Sequence, residues 1–273
     1  MTPFFLPAPA GQRLCLLHEP RAALRGAIVY AHPWAEEMNK SRRMAAMQSR
    51  ALADAGFAVL QIDLMGCGDS SGDLADASWQ GWVDDLVLAA DWLSKRHDAP
   101  LWFWGLRAGA LLATQAAAQR AQACNLLYWQ PALSGKQLLQ QFLRLKAAAD
   151  LQQGDAKATL ERARAALAGG GCVEVAGYAL PAALALGLEA ATLELPARAV
   201  RIVWLETSTR DPAGLLPPSV ACIEKWRGAG STIQALAVTG PAFWQTQEIE
   251  DAPALIAATL AQLCDPLTQG ATA

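Results

Sequence analysis

At Gly105-Leu106-Arg107-Ala108-Gly109 the chain carries a turn of the kind that presents a reactive side chain. The apolar run Leu101–Trp104 leads into it, and an Ala- and Leu-rich stretch follows. A Gly-x-x-x-Gly turn between a strand and a helix holds its central residue exposed at the top of a sheet. A Ser in that place is a nucleophile for acyl transfer. Here the centre is Arg107, a permanent cation that cannot attack a carbonyl carbon. Two further segments gather chemistry-bearing side chains. One runs from Tyr30 through His32, Pro33, Trp34, Glu36, Glu37, Asn39 and Lys40 to Arg42 and Arg43. The other runs from Asp63 through Gly66, Cys67, Gly68, Asp69, Ser70, Ser71 and Gly72 to Asp73.

Acyl transfer by a Ser needs an acid and then a late His in chain order. Glu206 stands where the acid would follow a strand, with Asp211 a few residues on. The base would follow the last strand, near Gly240-Pro-Ala-Phe-Trp244-Gln, and that segment holds no His. The only His are 18, 32 and 97. With the Ser and the late His both missing, the usual Ser–His mechanism is not expected. His32, Ser70 and Glu206 remain as candidate catalytic groups.

Each candidate has two readings. His32 could activate Ser70. Alternatively, Ser70 and Ser71 stabilise a Gly-rich turn while His32 bonds a backbone group or a carboxylate. Cys67 is a nucleophile type with nothing to place it beside a base. Glu36, Glu37 and Asp63 could form an acid–base or metal cluster with His32, or neutralise Lys40, Arg42, Arg43 and Arg107. Neither a metal nor a cofactor is expected. Arg107 could anchor a buried carboxylate, with Asp63, Asp69 and Glu206 as the foremost partners. It could instead bind a ligand carboxylate or phosphate at a pocket mouth, helped by the N-terminus of the helix behind it. Some anion must lie near it, because an unpaired buried Arg is too costly.

The elements that must position these groups alternate between strand and helix. Phe4–Pro7 and Arg13–His18 read as a short antiparallel edge. Ala27–Ala31, Phe57–Asp63, Leu101–Trp104, Leu126–Trp129, Ile202–Leu205 and Thr232–Val238 read as apolar strands. Helices are expected over Ser41–Ala55, from Ser78 to about Lys95, over Arg107–Gln122, around Ser219–Arg227 and over Pro253–Leu263. Continuously apolar strands alternating with helices imply an α/β fold whose mostly parallel central sheet is covered on both faces. Between Ala132 and Leu195 the pattern changes. One amphipathic helix fits around Leu138–Leu145 and another over Lys157–Leu167, with Gly154 as a break and Gly169-Gly170-Gly171 as a hinge. This segment, 132–195, reads as a helical cap inserted into a core made of 1–131 and 196–273. Most of the Trp follow helix and strand periodicity and read as core, while Trp129 and Trp244 end near the expected site.

Bulk composition is compatible with this. The chain has 273 residues, 53% of them hydrophobic, with 10 Trp to fill a core. A net charge of −3 supplies no basic field for nucleic acid or an acidic membrane surface. The 6 Cys have no CxxC spacing and read as buried reduced thiols of a cytoplasmic protein. The N-terminal residues lack the pattern of a signal peptide. The most apolar stretch, Ala176–Leu188, is too short to span a bilayer, which takes about 20 residues.

The segments His32–Met44, Asp63–Asp73, Trp104–Gly109 and Gly240–Glu248 together resemble an α/β-hydrolase, and more narrowly the exosortase A system-associated hydrolase 2 family. The resemblance implies a bacterial cytoplasmic protein linked to exopolysaccharide production and exosortase-type sorting, and with it a protein partner of that system. It also implies two backbone donors aimed at an anion: Trp34, since Pro33 has no N–H, and Ala108 after the elbow. The expected ligand is small and anionic or glycan-related, met by Arg107, Trp34, Ala108, Asp63, Glu36 and Trp244. An ester or thioester hydrolase with a displaced catalytic group near His32, and a scaffold for a partner protein, are the rival expectations.

Overall fold

A computed structural model describes residues 1–149 and 156–264. Its centre is an 8-stranded sheet in the order β1-β2-β4-β3-β5-β6-β9-β10. The strands are β1 (Thr2–Ala8), β2 (Gly11–His18), β3 (Gly26–Ala31), β4 (Phe57–Ile62), β5 (Leu101–Leu106), β6 (Cys124–Trp129), β9 (Ala199–Ser208) and β10 (Ile233–Thr239). β1 and β2 form the expected antiparallel edge, and every pairing from β4 to β10 is parallel. This is the α/β-hydrolase arrangement: a mostly parallel sheet flanked by helices.

Strand alternation assigns each side chain to a face. On one face Ile28, Tyr30, Trp102, Trp104, Leu127, Trp129, Val203 and Leu205 pack under α1 (Glu36–Asp54) and α8 (Pro253–Cys264). On the other, Val29, Phe103, Leu126, Tyr128, Ile202 and Trp204 pack under α2 (Trp79–Arg96), α3 (Ala108–Gln119) and α7 (Pro217–Gly228). Burying both faces explains why these strands read as apolar runs rather than as alternating ones. α2 starts where expected, with the Ser78 hydroxyl accepting the Gly81 N–H at 3.0 Å.

Three elements differ from the sequence expectation. α1 begins at Glu36, five residues before Ser41, so most of the segment read as a loop is helix. Ala35 turns the chain with φ 51° and ψ −135°, and the carboxylates of Glu36 and Glu37 then sit in the first turn, where the helix dipole favours them. Between β6 and β9 lie α4 (Gly135–Ala149) and α5 (Ala156–Ala168). They are followed by a hairpin of β7 (Cys172–Val175) and β8 (Tyr178–Pro181), and then by α6 (Ala182–Ala190). β8 and most of α6 fall in the apolar stretch Ala176–Leu188, and β7 precedes it. Gly169, Gly170 and Gly171 donate their N–H groups to Ala165, Leu167 and Ala166, and so close the last turn of α5. Gly154 and residues 265–273 lie outside the described residues. The six cysteines are free; Cys172 is exposed and Cys222 and Cys264 are half-buried, so burial holds fully only for Cys15, Cys67 and Cys124. No helix among the described residues is long and apolar enough to cross a membrane.

Candidate functional site

The turn after β5 has the geometry its glycines suggested. Arg107 adopts φ 56° and ψ −117°, a conformation that L-residues rarely take, and α3 begins at the next residue. A β carbon on Gly109 would lie 2.0 Å from the Ala31 carbonyl oxygen, and one on Gly105 would lie 2.5 Å from the Ala110 α carbon. The helix therefore sits so close to β3 and β5 that neither position has room for a methyl group. Ala108 is the first residue of α3, and its N–H is one of the helix-terminal donors with no partner inside the helix. Ala35 after β3 and Gln130 after β6 (φ 42°) are also left-handed non-glycine residues. Three strained residues thus stand at the carboxyl ends of three adjacent parallel strands. Such strain persists only where the surroundings enforce it, and it concentrates at functional sites.

These ends border a cavity of about 590 Å³. Trp34, Glu36, Glu37 and Lys40 line it from the β3–α1 turn and the start of α1, and Arg107 and Gln130 from the turns after β5 and β6. Leu138, Gln141, Phe142 and Leu145 of α4 form another wall, and Trp244 and Gln245 close it from beyond β10. Phe142 also touches Trp34, with ring centroids 4.5 Å apart. The guanidinium of Arg107 lies over the Trp244 ring at 5.6 Å and donates through Nε to Glu37 Oε1 at 3.2 Å. Trp244 is held in turn by Phe243, Trp129 and Trp104, each meeting the next edge to face. Burial raises the Glu37 carboxyl above the ordinary carboxylate range, against the pull of Arg107 and Lys40 and with some help from Glu36.

Arg107 therefore pairs with Glu37, not with Asp63, Asp69 or Glu206. Asp63 receives both terminal nitrogens of Arg42, at 3.2 and 3.3 Å. Asp69 is exposed. Glu206 is buried, accepting the Trp204 indole N–H at 2.9 Å and the Leu216 N–H at 2.8 Å. The ion-pair reading of the charged segment holds in part: Arg42 meets Asp63 and Arg107 meets Glu37, whereas Arg43 forks onto Asp251, Lys40 reaches the Gln245 carbonyl, and Glu36 Oε2 has no hydrogen-bond partner.

His32 and Ser70 bond backbone groups rather than each other. The His32 Nδ1–H donates to the Pro33 carbonyl at 2.7 Å, and Nε2 accepts the Leu64 N–H at 3.4 Å. Burial lowers its basicity. The Ser70 hydroxyl accepts the Leu14 N–H and donates to the Asp63 carbonyl. Burial pushes the Cys67 thiol up to about 12, which keeps it from being a thiolate. Of the expected ligand contacts, the structure gathers Arg107, Trp34, Glu36 and Trp244 around one cavity, beside Ala108. It sends Asp63 elsewhere, and Trp129 is core, donating to the Thr259 hydroxyl. Gln130, Gln245, Gln141 and Phe142 were not singled out by sequence. Gln130 alone had a usable signal, its place between the end of a strand and Pro131. Among the described residues no group of three or more His, Cys, Asp or Glu side chains could hold a metal ion.

Residues 22–159 match the family described as serine aminopeptidase, S33. Human Protein ABHD12B is 36% identical over 100 residues, which are 35% of this chain and 26% of that protein, so the match spans about a quarter of the relative's length. Among solved structures, a highly thermostable carboxyl esterase from Bacillus coagulans superposes with a TM-score of 0.64 at 15% identity, covering 96% of this chain and 97% of the esterase. Est1E from Butyrivibrio proteoclasticus, solved with ferulic acid bound, gives 0.63 at 15% identity over 96% and 100%. An α/β serine hydrolase without lid from Xanthomonas campestris gives 0.58 at 16% over 96% and 92%. These likenesses establish the fold.

Proposed function

Because the chain belongs to the serine aminopeptidase S33 family of α/β-hydrolases, we propose that it uses the family's pocket to bind and has lost the usual Ser–His–acid chemistry. The ligand is a small anion, with a carboxylate on a sugar-sized ring as the best fit. One observation carries this reading. The elbow holds an Arg, stacked on Trp244 and bonded to a half-satisfied Glu37, at the edge of a cavity of about 590 Å³. In this proposal the anion meets the Arg107 guanidinium and the Ala108 and Trp34 N–H groups at the positive end of α3. Gln130, Gln141 and Gln245 supply amides for ring hydroxyls. Glu206, in the acid's place, serves structure through Trp204 and Leu216, and Trp244 fills the region where a base would stand.

Segment 132–195 is proposed as a cap over this cavity. Phe142 of α4 and the Asn39 amide bonded to the Tyr178 hydroxyl support that placement. The proposal further carries the resemblance to the exosortase A system-associated hydrolase 2 family: a cytoplasmic protein serving exopolysaccharide production, with a protein partner from that system.

Calorimetric titration with glucuronate, and with glucose as its neutral counterpart, tests the reading. Glucuronate is expected to bind and glucose to bind weakly or not at all. Arg107→Gln should lose about 2 kcal/mol, roughly a 30-fold drop in affinity, for one charge-assisted contact. Short acyl esters should not be turned over above the buffer rate, with native protein or with Arg107→Ser. Ester turnover that His32→Ala abolishes would overturn the proposal in favour of a hydrolase working through His32.

A further inference from the structure

Arg107 and Glu37 meet at a single point. The guanidinium reaches Oε1 through Nε, while Oε2 of Glu37 is sealed from solvent and has no hydrogen-bond partner. Two neighbours on the same helix are forked, Arg42 on Asp63 and Arg43 on Asp251, each with two N–H···O bonds; Arg13 on Asp85 is another single-point pair, but there the bonded carboxylate oxygen also accepts the Met65 N–H. Among the described residues the Arg107 side chain makes this one hydrogen bond, at Nε, and Arg107 lines the cavity with its guanidinium over Trp244. The pair is thus built loosely, with an acceptor oxygen left unpaired and a cation half-engaged.

An anion that enters this cavity and takes the guanidinium would stand beside a second anion, Glu37, whose side chain is only 14% exposed. Two carboxylates sharing one cation cannot both stay ionised at low cost, and one takes up a proton. Other charged or titratable groups face Glu37. Glu36 and Lys40 come from its own helix and Arg107 from the elbow. Tyr178 of β8 stands near Glu36, and burial raises its phenol, so it stays neutral near pH 7. Glu37 is the carboxylate in direct contact with Arg107, so it is the one displaced.

We infer that Glu37 is the exchangeable counter-ion of Arg107: an entering monoanion takes over the guanidinium while Glu37 accepts a proton from solvent, so that ligand and proton bind together. This rests on the anion-binding reading above and specifies it. The charge balance is closed, because an anion and a proton enter together and the net charge of the site is unchanged. Burial already biases Glu37 toward its neutral acid in the empty site, and losing Arg107 to the ligand extends that bias. The class of ligand selected is a monoanion, such as a single carboxylate.

The test is calorimetric titration of glucuronate into the full chain from pH 5.5 to 8.5, in two buffers of different ionisation heat. Native protein should bind with uptake approaching one proton, and affinity should fall by up to tenfold per pH unit across the window between the free and bound titrations of Glu37. Glu37→Gln should bind with no uptake and no pH slope, at least as tightly as native protein at low pH. Binding by native protein without proton uptake overturns this inference and leaves the anion pocket standing, a result that does not depend on any variant folding. Uptake that persists in Glu37→Gln also overturns it. Failure of glucuronate to bind at any pH removes the anion pocket, and this inference with it.

Discussion

Replacing Gly109 with Ala probes whether the elbow is as tight as its geometry says. The added methyl carbon would start 2.0 Å from the Ala31 carbonyl oxygen and 2.8 Å from that of His32. Carbon and oxygen settle at about 3.3 Å or more, so α3 and β3 would have to part by roughly 1 Å. Nothing flexible can give, because both obstacles are backbone, and Ala110, Leu111 and Leu112 on α3 are fully buried against the sheet. Overpacking of this kind costs about 3 kcal/mol, and the lower chain entropy of unfolded Ala offsets about 0.7 kcal/mol. A net loss of about 2 kcal/mol should lower Tm by roughly 4–8 °C. Gly228→Ala is the matched control. It ends α7 with open space around it, and should stabilise by about 0.5 kcal/mol. Urea denaturation followed by Trp fluorescence measures both variants. If Gly109→Ala unfolds at the native midpoint, the claimed contact between helix and strand is wrong.

Three other outcomes follow from buried polar groups. Arg13 and Asp85 form an ion pair only 3% and 4% exposed, so Asp85→Ala should lose about 3–5 kcal/mol by stranding the cation. Arg13→Met combined with Asp85→Leu should recover most of that in the same denaturation assay. Burial, the nearby N-terminus and Arg50 and Arg21 hold His18 down to about 4, below its ordinary 6.5. The unfolded chain therefore takes up a proton first, and stability should decline as pH falls from about 6.5 toward 4; a His18→Gln chain should decline less over that window. Glu206→Gln would set an amide N–H₂ against the Trp204 or Leu216 donor, costing about 1–3 kcal/mol in thermal unfolding. Under the proposed function it should leave glucuronate affinity within about twofold, which a titration of the folded variant checks.

Much of the fold was legible because burial on both faces of a parallel sheet writes itself into sequence. Strands such as Gly26–Ala31 and Leu101–Leu106 are apolar at every position, and the glycines around Arg107 mark the strand-to-helix turn. The start of α1 was not legible. Its first turn is charged and reads as loop, and the residue that starts it, Ala35, adopts a left-handed conformation that nothing about an Ala announces. The hairpin of β7 and β8 left a fainter trace. Val173 and Val175 alternate with exposed residues up to a turn at Ala176-Gly177, where both residues have positive φ, but the surrounding alanines blur the period.

The sequence by itself determined the α/β architecture and the absence of a Ser at the elbow and of a His beyond residue 97. Those properties belong to residue types and local periods. Only the tertiary structure decided which carboxylate meets Arg107. Asp63, Asp69, Glu206 and Glu37 are all acids at the ends of strands or nearby, and no local rule separates them. Glu37 is 70 residues away along the chain, and it is brought to Arg107 because β3 lies beside β5 and α1 starts early. The same packing sends His32 and Ser70 to backbone partners and places Trp244 under the guanidinium. Ion pairs and ring contacts are chosen by distance in three dimensions, and distance is what strand order sets.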